Sequence, residues 1–331
     1  MHLFIDTNIF LSFYHLTSDD LEELRKLAVL LEQKKVVLYL TDQVVVEFQR
    51  NRDGKIADAL KGLKDQRLSL QFPQLCKDYA EYAELRALQK KYEDAHGALL
   101  EKVSQDVASA TLKADETIRE LFAKATRIET VSELVAKAKL RFEIGNPPGK
   151  DGSLGDAINW EALLEHVPVG NDLHFITDDR DYVSVLDENQ FKGFLLNEWI
   201  GHKKSAIRFY RRLSSFFKDH FPQINLASEL EKEFAIQALA ASRNFSQTHE
   251  AIAQLAKYTQ FTGTQVNDIM RAAVSNRQVF WIIKDQDVDQ FLRFAILGHE
   301  KDIEGTNFIE LQRLFAKNQP VEEKVIAIAP F

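Results

Sequence analysis

Leu3-Phe4-Ile5-Asp6-Thr7-Asn8-Ile9-Phe10 opens with three large apolar residues that run straight into a carboxylate. An unalternating apolar run of this kind fits a strand buried on both faces, as in a parallel sheet covered by helices. Asp6 then stands at the carboxyl end of that strand. Three more acids occupy comparable positions: Glu47 behind Val44-Val45-Val46, Asp156 in Gly155-Asp156-Ala157, and Asp179 closing Ile176-Thr177-Asp178-Asp179. Parallel strands point their carboxyl ends toward one crevice, where such sheets place their ligands. Four carboxylates gathered there repel one another at neutral pH unless a cation shares them. Oxygen donors with no His or Cys beside them favour Mg²⁺ or Mn²⁺ over Zn²⁺. Metal-assisted phosphodiester chemistry is the expectation.

The pattern outward from Asp6 alternates strand and helix. Ser18 is a good cap for a helix striped by Leu21, Leu24, Leu27, Ala28 and Leu31. Val36 to Leu40 is a β-branched run that predicts the second strand, and Thr41-Asp42 caps a helix with Glu47 on its second turn. Ser153 caps a further helix carrying Asp156. Glu161 and Glu165 on that helix are expected on a solvated face. Leu173 to Thr177 predicts another strand, and Phe194-Leu195-Leu196 a last short one. The expectation is an α/β fold with a central parallel sheet over residues 1–200.

Strand signals vanish from about residue 56 to 141. Leu75, Tyr79, Tyr82, Leu85, Leu88, Tyr92, Ala95, Leu99 and Val103 step by threes and fours, followed by a second stripe through Ile118, Leu121, Ile128, Val131 and Leu134. A helical insertion without any sheet strand is predicted, packed as core, with a clamp or dimerisation element as the alternative. Gly145-Asn146-Pro147-Pro148-Gly149 ends it with a rigid loop. Its glycines lie one residue too close for a Walker loop, and no Ser or Thr follows Lys150. Residues 201–331 predict a mainly helical C-terminal module. Two helices followed by a strand-like Val279 to Ile283 have the outline of a winged helix, but Arg271 and Arg277 are thin charge for a groove reader.

Phe4-Ile5-Asp6-Thr7-Asn8-Ile9-Phe10 resembles the opening strand of PIN-domain nucleases. Val46-Glu47-Phe48, Gly155-Asp156-Ala157-Ile158 and Ile176-Thr177-Asp178-Asp179-Arg180-Asp181-Tyr182 resemble the family's three later acidic motifs, in order. The resemblance covers residues 1 to about 200 and implies a PIN-like α/β/α sandwich. It further implies that Asp6, Glu47, Asp156 and Asp179 are catalytic and hold Mg²⁺ or Mn²⁺. Asn8 and Thr177 would orient those carboxylates by hydrogen bonds, with Asp178 and Asp181 as further supporting groups. It also implies an endoribonuclease acting on single-stranded RNA, with RNA favoured over DNA, in toxin–antitoxin or antiviral defence. The rivals are a non-catalytic PIN-like binding scaffold and a structure-specific DNA nuclease.

Two basic sets are candidates for the nucleic-acid path. Arg50, Arg52 and Lys55 follow Glu47 directly. Lys204, Arg208, Arg211 and Arg212 lie in an acid-free stretch interleaved with aromatics, and a helix there would line cations along one face. The net charge of −8, from 42 Lys and Arg against 50 Asp and Glu, counts modestly against nucleic acid as a ligand. The single Cys76 excludes an internal disulfide, and no apolar run reaches membrane-spanning length. A cytoplasmic protein with no membrane partner is expected, with a homo-oligomer or an antitoxin or activator protein as further candidate partners.

Overall fold

A computed structural model of the chain describes residues 1–15, 21–66, 68, 70–149, 154–222, 224 and 226–299. The helix caps expected at Ser18 and Ser153, and the Lys150 end of the proline loop, fall outside these residues. The described chain runs β1 (His2–Ile5), α1 (Thr7–Ser12), α2 (Leu21–Glu32), β2 (Val37–Thr41), α3 (Asp42–Asp65), α4 (Ala80–Ser109), α5 (Lys113–Lys124), β3 (Thr126–Ile128) and α6 (Ser132–Glu143). It continues through α7 (Leu154–His166), β4 (Leu173–Ile176), α8 (Gly193–Lys203), β5 (Ile207–Tyr210), α9 (Leu213–His220), α10 (Ala227–Ala241), α11 (Phe245–Leu255), α12 (Gly263–Ser275), α13 (Arg277–Trp281) and α14 (Gln286–Ile296).

All five strands are parallel, in the order β3-β2-β1-β4-β5. The chain builds outward from β1 to β2 and β3, then returns to the other side of β1 for β4 and β5. The gap between β1 and β4 is therefore the topological switch point, where an open parallel sheet leaves a crevice. Leu3, Phe4 and Ile5 are at most 1% exposed, which confirms burial on both faces. Flanking helices fall into two groups: α2 with α5 and α9, and α7 with α3, α6 and α8.

Four expectations change. The predicted strand at Phe194–Leu196 lies in α8, because Leu195 and Trp199, one helical turn apart, are both fully buried. The last strand is β5, inside the basic stretch that was expected to be helical. The insertion does contain a strand: β3 pairs with β2 at the sheet edge. Only Ile128 of its three residues is buried, so a short edge strand left no period against the stripes of α5 and α6. Val279 to Ile283 is no wing strand. Asn276 caps α13 there, its Oδ1 accepting from Gln278 N (2.9 Å).

Within the insertion, α5 packs on α2 and α6 on α7, whereas α4 buries no residue at all. The chain divides into compact units at Met1–Ala227 and Ser228–Phe331, later than the expected boundary at 200. The shift follows from β5, which pairs with β4 and so belongs to the sheet. The second unit has its own core, built on Leu239, Leu255, Val266, Ile269, Met270 and Leu292, all fully buried. Among the described residues, no helix is long and apolar enough to cross a membrane.

His174 on β4 gives the sheet an acid limit. It is 5% exposed, stacks on Tyr210 (6.0 Å between ring centroids), and meets Phe216 and His220 edge-on. Its Nδ1 is buried without a hydrogen-bond partner. Burial first, then the nearby His220 and Arg208, lower its pKa to about 4. A histidine depressed in the folded state contributes stability above its ordinary pKa, and that stability is lost as pH falls from about 6.5 toward 4. His174→Phe should therefore lose less stability than the parent between pH 7 and pH 5, by up to about 2 kcal/mol. Parallel urea titrations of the two proteins would check this. Identical acid slopes would place the titrating group elsewhere.

Candidate metal centre and its approaches

Continuing the strand register, by one residue between β1 and β4 and by two between β1 and β2, aligns Thr41, Asp6 and Thr177 in one row at the carboxyl ends of β2, β1 and β4. Row neighbours in a sheet share a face, so the three side chains emerge together. Asp6 caps α1: Thr7 N donates to its Oδ1 (2.7 Å). Thr177 Oγ1 donates to Asp6 Oδ2 (2.6 Å) and accepts from Asp179 N (2.9 Å) and Asn8 Nδ2 (3.3 Å). One threonine hydroxyl thus ties the first acid to the loop carrying the last.

Asp156 arrives from the first turn of α7. Tyr182, fully buried, donates its hydroxyl to the Asp156 carbonyl (3.2 Å) and lies 3.4 Å from its Oδ1. One carboxylate oxygen from each of Asp6, Asp156 and Asp179 lies within 4.8 Å of the others. Glu47 is outside that triad. It sits on the second turn of α3, as its position behind the cap predicts, and accepts from Thr7 Oγ1 at 3.4 Å. Three of the four acids converge, and the fourth is joined to the residue after Asp6 by the Thr7 hydroxyl.

Asp6 is 4% exposed, and its pKa is raised to about 8, first by burial, then by Asp156 and also by Glu47, against the lowering bonds from Thr177 and Thr7. An oxygen-only cluster of this charge density fits a divalent cation, which would restore the ionised form. With no His or Cys in the triad, the donor set suits Mg²⁺ or Mn²⁺ better than Zn²⁺. Asn8 Oδ1 is a further mark of incompleteness, being buried without a donor.

Supporting residues divide. Asp181 N donates to Asp179 Oδ1 (2.8 Å), closing a turn that fixes the Asp179 carboxylate, and Asp181 Oδ2 accepts from Gly149 N (3.3 Å). Asp178 instead takes Arg211, through Nε (2.8 Å) and Nη2 (2.5 Å), and Arg211 also reaches Glu188 (3.3 Å). From the sequence, Thr41 reads only as a helix cap, and Asn159 was missed. Thr41 Oγ1 accepts from Val44 N to cap α3 and donates to the fully buried Asn159 Oδ1 (2.5 Å). The bond links the helix of Glu47 to the helix of Asp156. Tyr182 was missed as well. The available signal was spacing: Asn159 follows Asp156 by three residues, hence on the same helix face.

The basic sets need correction. Arg52 is not free for substrate: its guanidinium forks onto Asp115, which is 6% exposed and also takes the Tyr14 hydroxyl. That guanidinium is engaged by a buried partner and ties α3 to α5. Lys204 ends α8 in the left-handed conformation, ahead of β5 and thus toward the amino end of the sheet, away from the acids. Arg208 lies within β5 and turns to Asp172 (3.5 Å), which precedes β4 at that same end. Arg211 and Arg212 follow β5 at the carboxyl end, where the acids are. Arg50, Lys55 and Arg212 are exposed and form no ion pair among the described residues. Arg180, exposed between Asp179 and Asp181, belongs with them although no sequence signal singled it out. The solvated face assigned to Glu161 is also wrong, because its Oε1 accepts from buried Arg141 (2.6 Å).

A family model described as a PIN domain matches residues 3–182, a span that holds all four acids and stops short of β5. No curated protein and no solved structure matches the chain.

Proposed function

The chain belongs to the PIN-domain family, whose members are generally metal-dependent nucleases, and we propose that it hydrolyses phosphodiester bonds, as an endonuclease of single-stranded RNA. The observation that carries this is the convergence of Asp6, Asp156 and Asp179 at the switch point of the sheet. These three would hold the divalent ion, and Glu47, which accepts from Thr7 Oγ1 beside Asp6, would add its charge to the same centre. A bound Mg²⁺ or Mn²⁺ supplies an activated water and neutralises charge on the scissile phosphate. Thr177 holds Asp6 in register with Asp179, while Asn8 Oδ1, buried without a donor, would accept from a water at the centre. RNA is put ahead of DNA on the family resemblance, as is a setting in toxin–antitoxin or antiviral defence. The intact acids speak against a non-catalytic scaffold.

The test incubates the full chain with end-labelled single-stranded RNA, single-stranded DNA and duplexes, each with Mg²⁺, Mn²⁺ or chelator. Internal cleavage of single-stranded RNA that chelator stops is expected. Activity indifferent to chelator, or none on any substrate with either ion, would sink the reading.

Exposed cations without an ion pair among the described residues are assigned to substrate binding, Arg212 behind β5 and Arg50 and Lys55 on the helix that carries Glu47. Replacing Arg50, Lys55 and Arg212 by Ala should weaken binding and lower its log–log salt slope by about 0.7 for each phosphate no longer neutralised. Turnover at saturation should change little, since such cations act alike on bound substrate and transition state. An unchanged slope in the folded triple variant would exclude these residues from the path.

A further inference from the structure

The second unit carries a surface that the acidic centre does not account for. Trp281, at the end of α13, is 62% exposed, and Phe245, which opens α11, is 45% exposed. The two rings meet edge to face with centroids 6.4 Å apart. Two large aromatics left this open side by side, on a unit whose described residues already form a core without them, offer a binding surface.

The surrounding charge is selective. Elsewhere in this unit Arg271 pairs with Asp268, Arg293 with Asp289 and Lys232 with Glu229, while Lys257 has only the amide of Gln254 (2.6 Å). Arg243, Arg277 and Lys284 are exposed and have no ion pair among the described residues. All three lie within four residues, along the chain, of one of the two aromatics. Arg243 precedes Phe245 by two positions. Arg277 lies four before Trp281 on the same helix, hence on the same face. Lys284 follows Trp281 by three. The junction is held rigidly: Asn276 Nδ2 lies 3.0 Å from the carbonyls of Leu239, Ala240 and Ser242, which brings the start of α13 against the residue preceding Arg243. The neighbouring acid Asp285 is engaged by His249 (3.3 Å), whose other nitrogen holds Asp287 (2.7 Å).

We propose that this surface is a binding site for single-stranded nucleic acid, with bases stacking on Trp281 and Phe245 and phosphates held by Arg243, Arg277 and Lys284. Flat π faces beside unpaired cations match a ligand that offers both bases and phosphates. An acidic peptide would use the cations but not the rings. The site lies outside the PIN-domain match and shares with the proposed activity only the class of ligand.

The tryptophans make the test specific. Trp160 and Trp199 are fully buried, so surface quenching of tryptophan fluorescence reads Trp281. The full chain carrying Asp6→Asn is titrated in chelator with oligouridylate and oligothymidylate of about a dozen nucleotides, a length covering one such site. Bound oligonucleotide should quench the emission and shield it from iodide. Trp281→Leu should weaken binding, read by anisotropy, roughly five- to hundredfold, the range of one missing stack. The triple variant Arg243→Gln, Arg277→Gln, Lys284→Gln should lower the log–log salt slope by about 2.

Unchanged affinity in both variants, or iodide access unaltered by bound oligonucleotide, overturns the proposal. So does iodide shielding that rises with protein concentration alone, which would make a second copy the occupant. Polyglutamate competing as well as the oligonucleotide would overturn it too, by leaving a site for polyanions only. Failure of the unmutated chain to cleave any nucleic acid would sink the acidic centre's assignment alone, because these readings are taken without a divalent ion.

Discussion

Asp6→Asn is expected to lower metal-dependent cleavage by about a thousandfold or more, since it removes one of the three carboxylates that meet at the proposed metal centre. The same variant should make the metal-free protein more stable. With a folded pKa of about 8 against an ordinary 3.8, Asp6 keeps its proton in the folded chain across a range where the unfolded chain has lost it. Its contribution to stability is full below pH 3.8 and is lost as pH rises through 8. Above that, the folded protein carries a buried carboxylate facing two other acids. Asn never ionises, so with chelator the variant should melt above the parent at about pH 8 to 9, by a few kcal/mol at most. The gap should close toward about pH 5. Saturating Mn²⁺ should reverse the order, because binding stabilises only the protein that holds the ion. Melting curves at each pH, with chelator and with Mn²⁺, would check all three statements. Comparing variant with parent also cancels the opposite slope from His174. Full activity in the variant removes Asp6 from the chemistry, and a pH-independent gap removes it from a shared acidic cluster.

The second large effect concerns Arg141, which is 5% exposed and belongs to no acidic motif. Its Nε donates to Glu161 Oε1 (2.6 Å), Nη1 to the Pro147 carbonyl (2.7 Å) and Nη2 to Glu198 Oε1 (2.5 Å). Trp160 Nε1 completes the set on Glu198 Oε2 (2.7 Å). One guanidinium therefore joins α6, α7 and α8 to the proline loop. That loop continues to Gly149, which reaches Asp181 in the turn of Asp179. Arg141→Met should cost about 3–5 kcal/mol, because it leaves two glutamates without their cation in a largely buried place. Arg141→Lys keeps the charge but not the planar fork, and should recover only part. Adding Glu198→Gln to Arg141→Met should recover stability, as it removes one orphaned charge. Urea unfolding of the parent and these variants gives the comparison. A loss under about 1 kcal/mol for Arg141→Met would show the network to be ornamental.

Local chemistry was enough to identify the parts that depend on neighbours in the chain. The run from Leu3 to Ile5 is buried on both faces, Thr41 caps the helix that carries Glu47, and Asp6 and Asp179 stand at strand ends as their flanking runs require. Three of the four acids were brought together from those positions alone, because parallel strands share a direction and so share an end. Where the sequence misled, the deciding partner was distant. The three residues of β3 are a strand only because β2 offers them a ladder, and Phe194 to Leu196 are helical because Leu195 and Trp199 find one core. A side chain's amino-acid type does not say which end of a sheet it serves. Arg208 and Arg211 lie three residues apart, yet one turns to Asp172 at the amino end and the other to Asp178 beside the acids. The sequence by itself determined the sheet class and the acidic centre, since both rest on periodicity and local caps. Only the tertiary structure decided which cations remain exposed, which are bound into ion pairs, and that Asn159, Tyr182 and Arg141 hold the centre in place, because long-range pairing and burial leave no local mark.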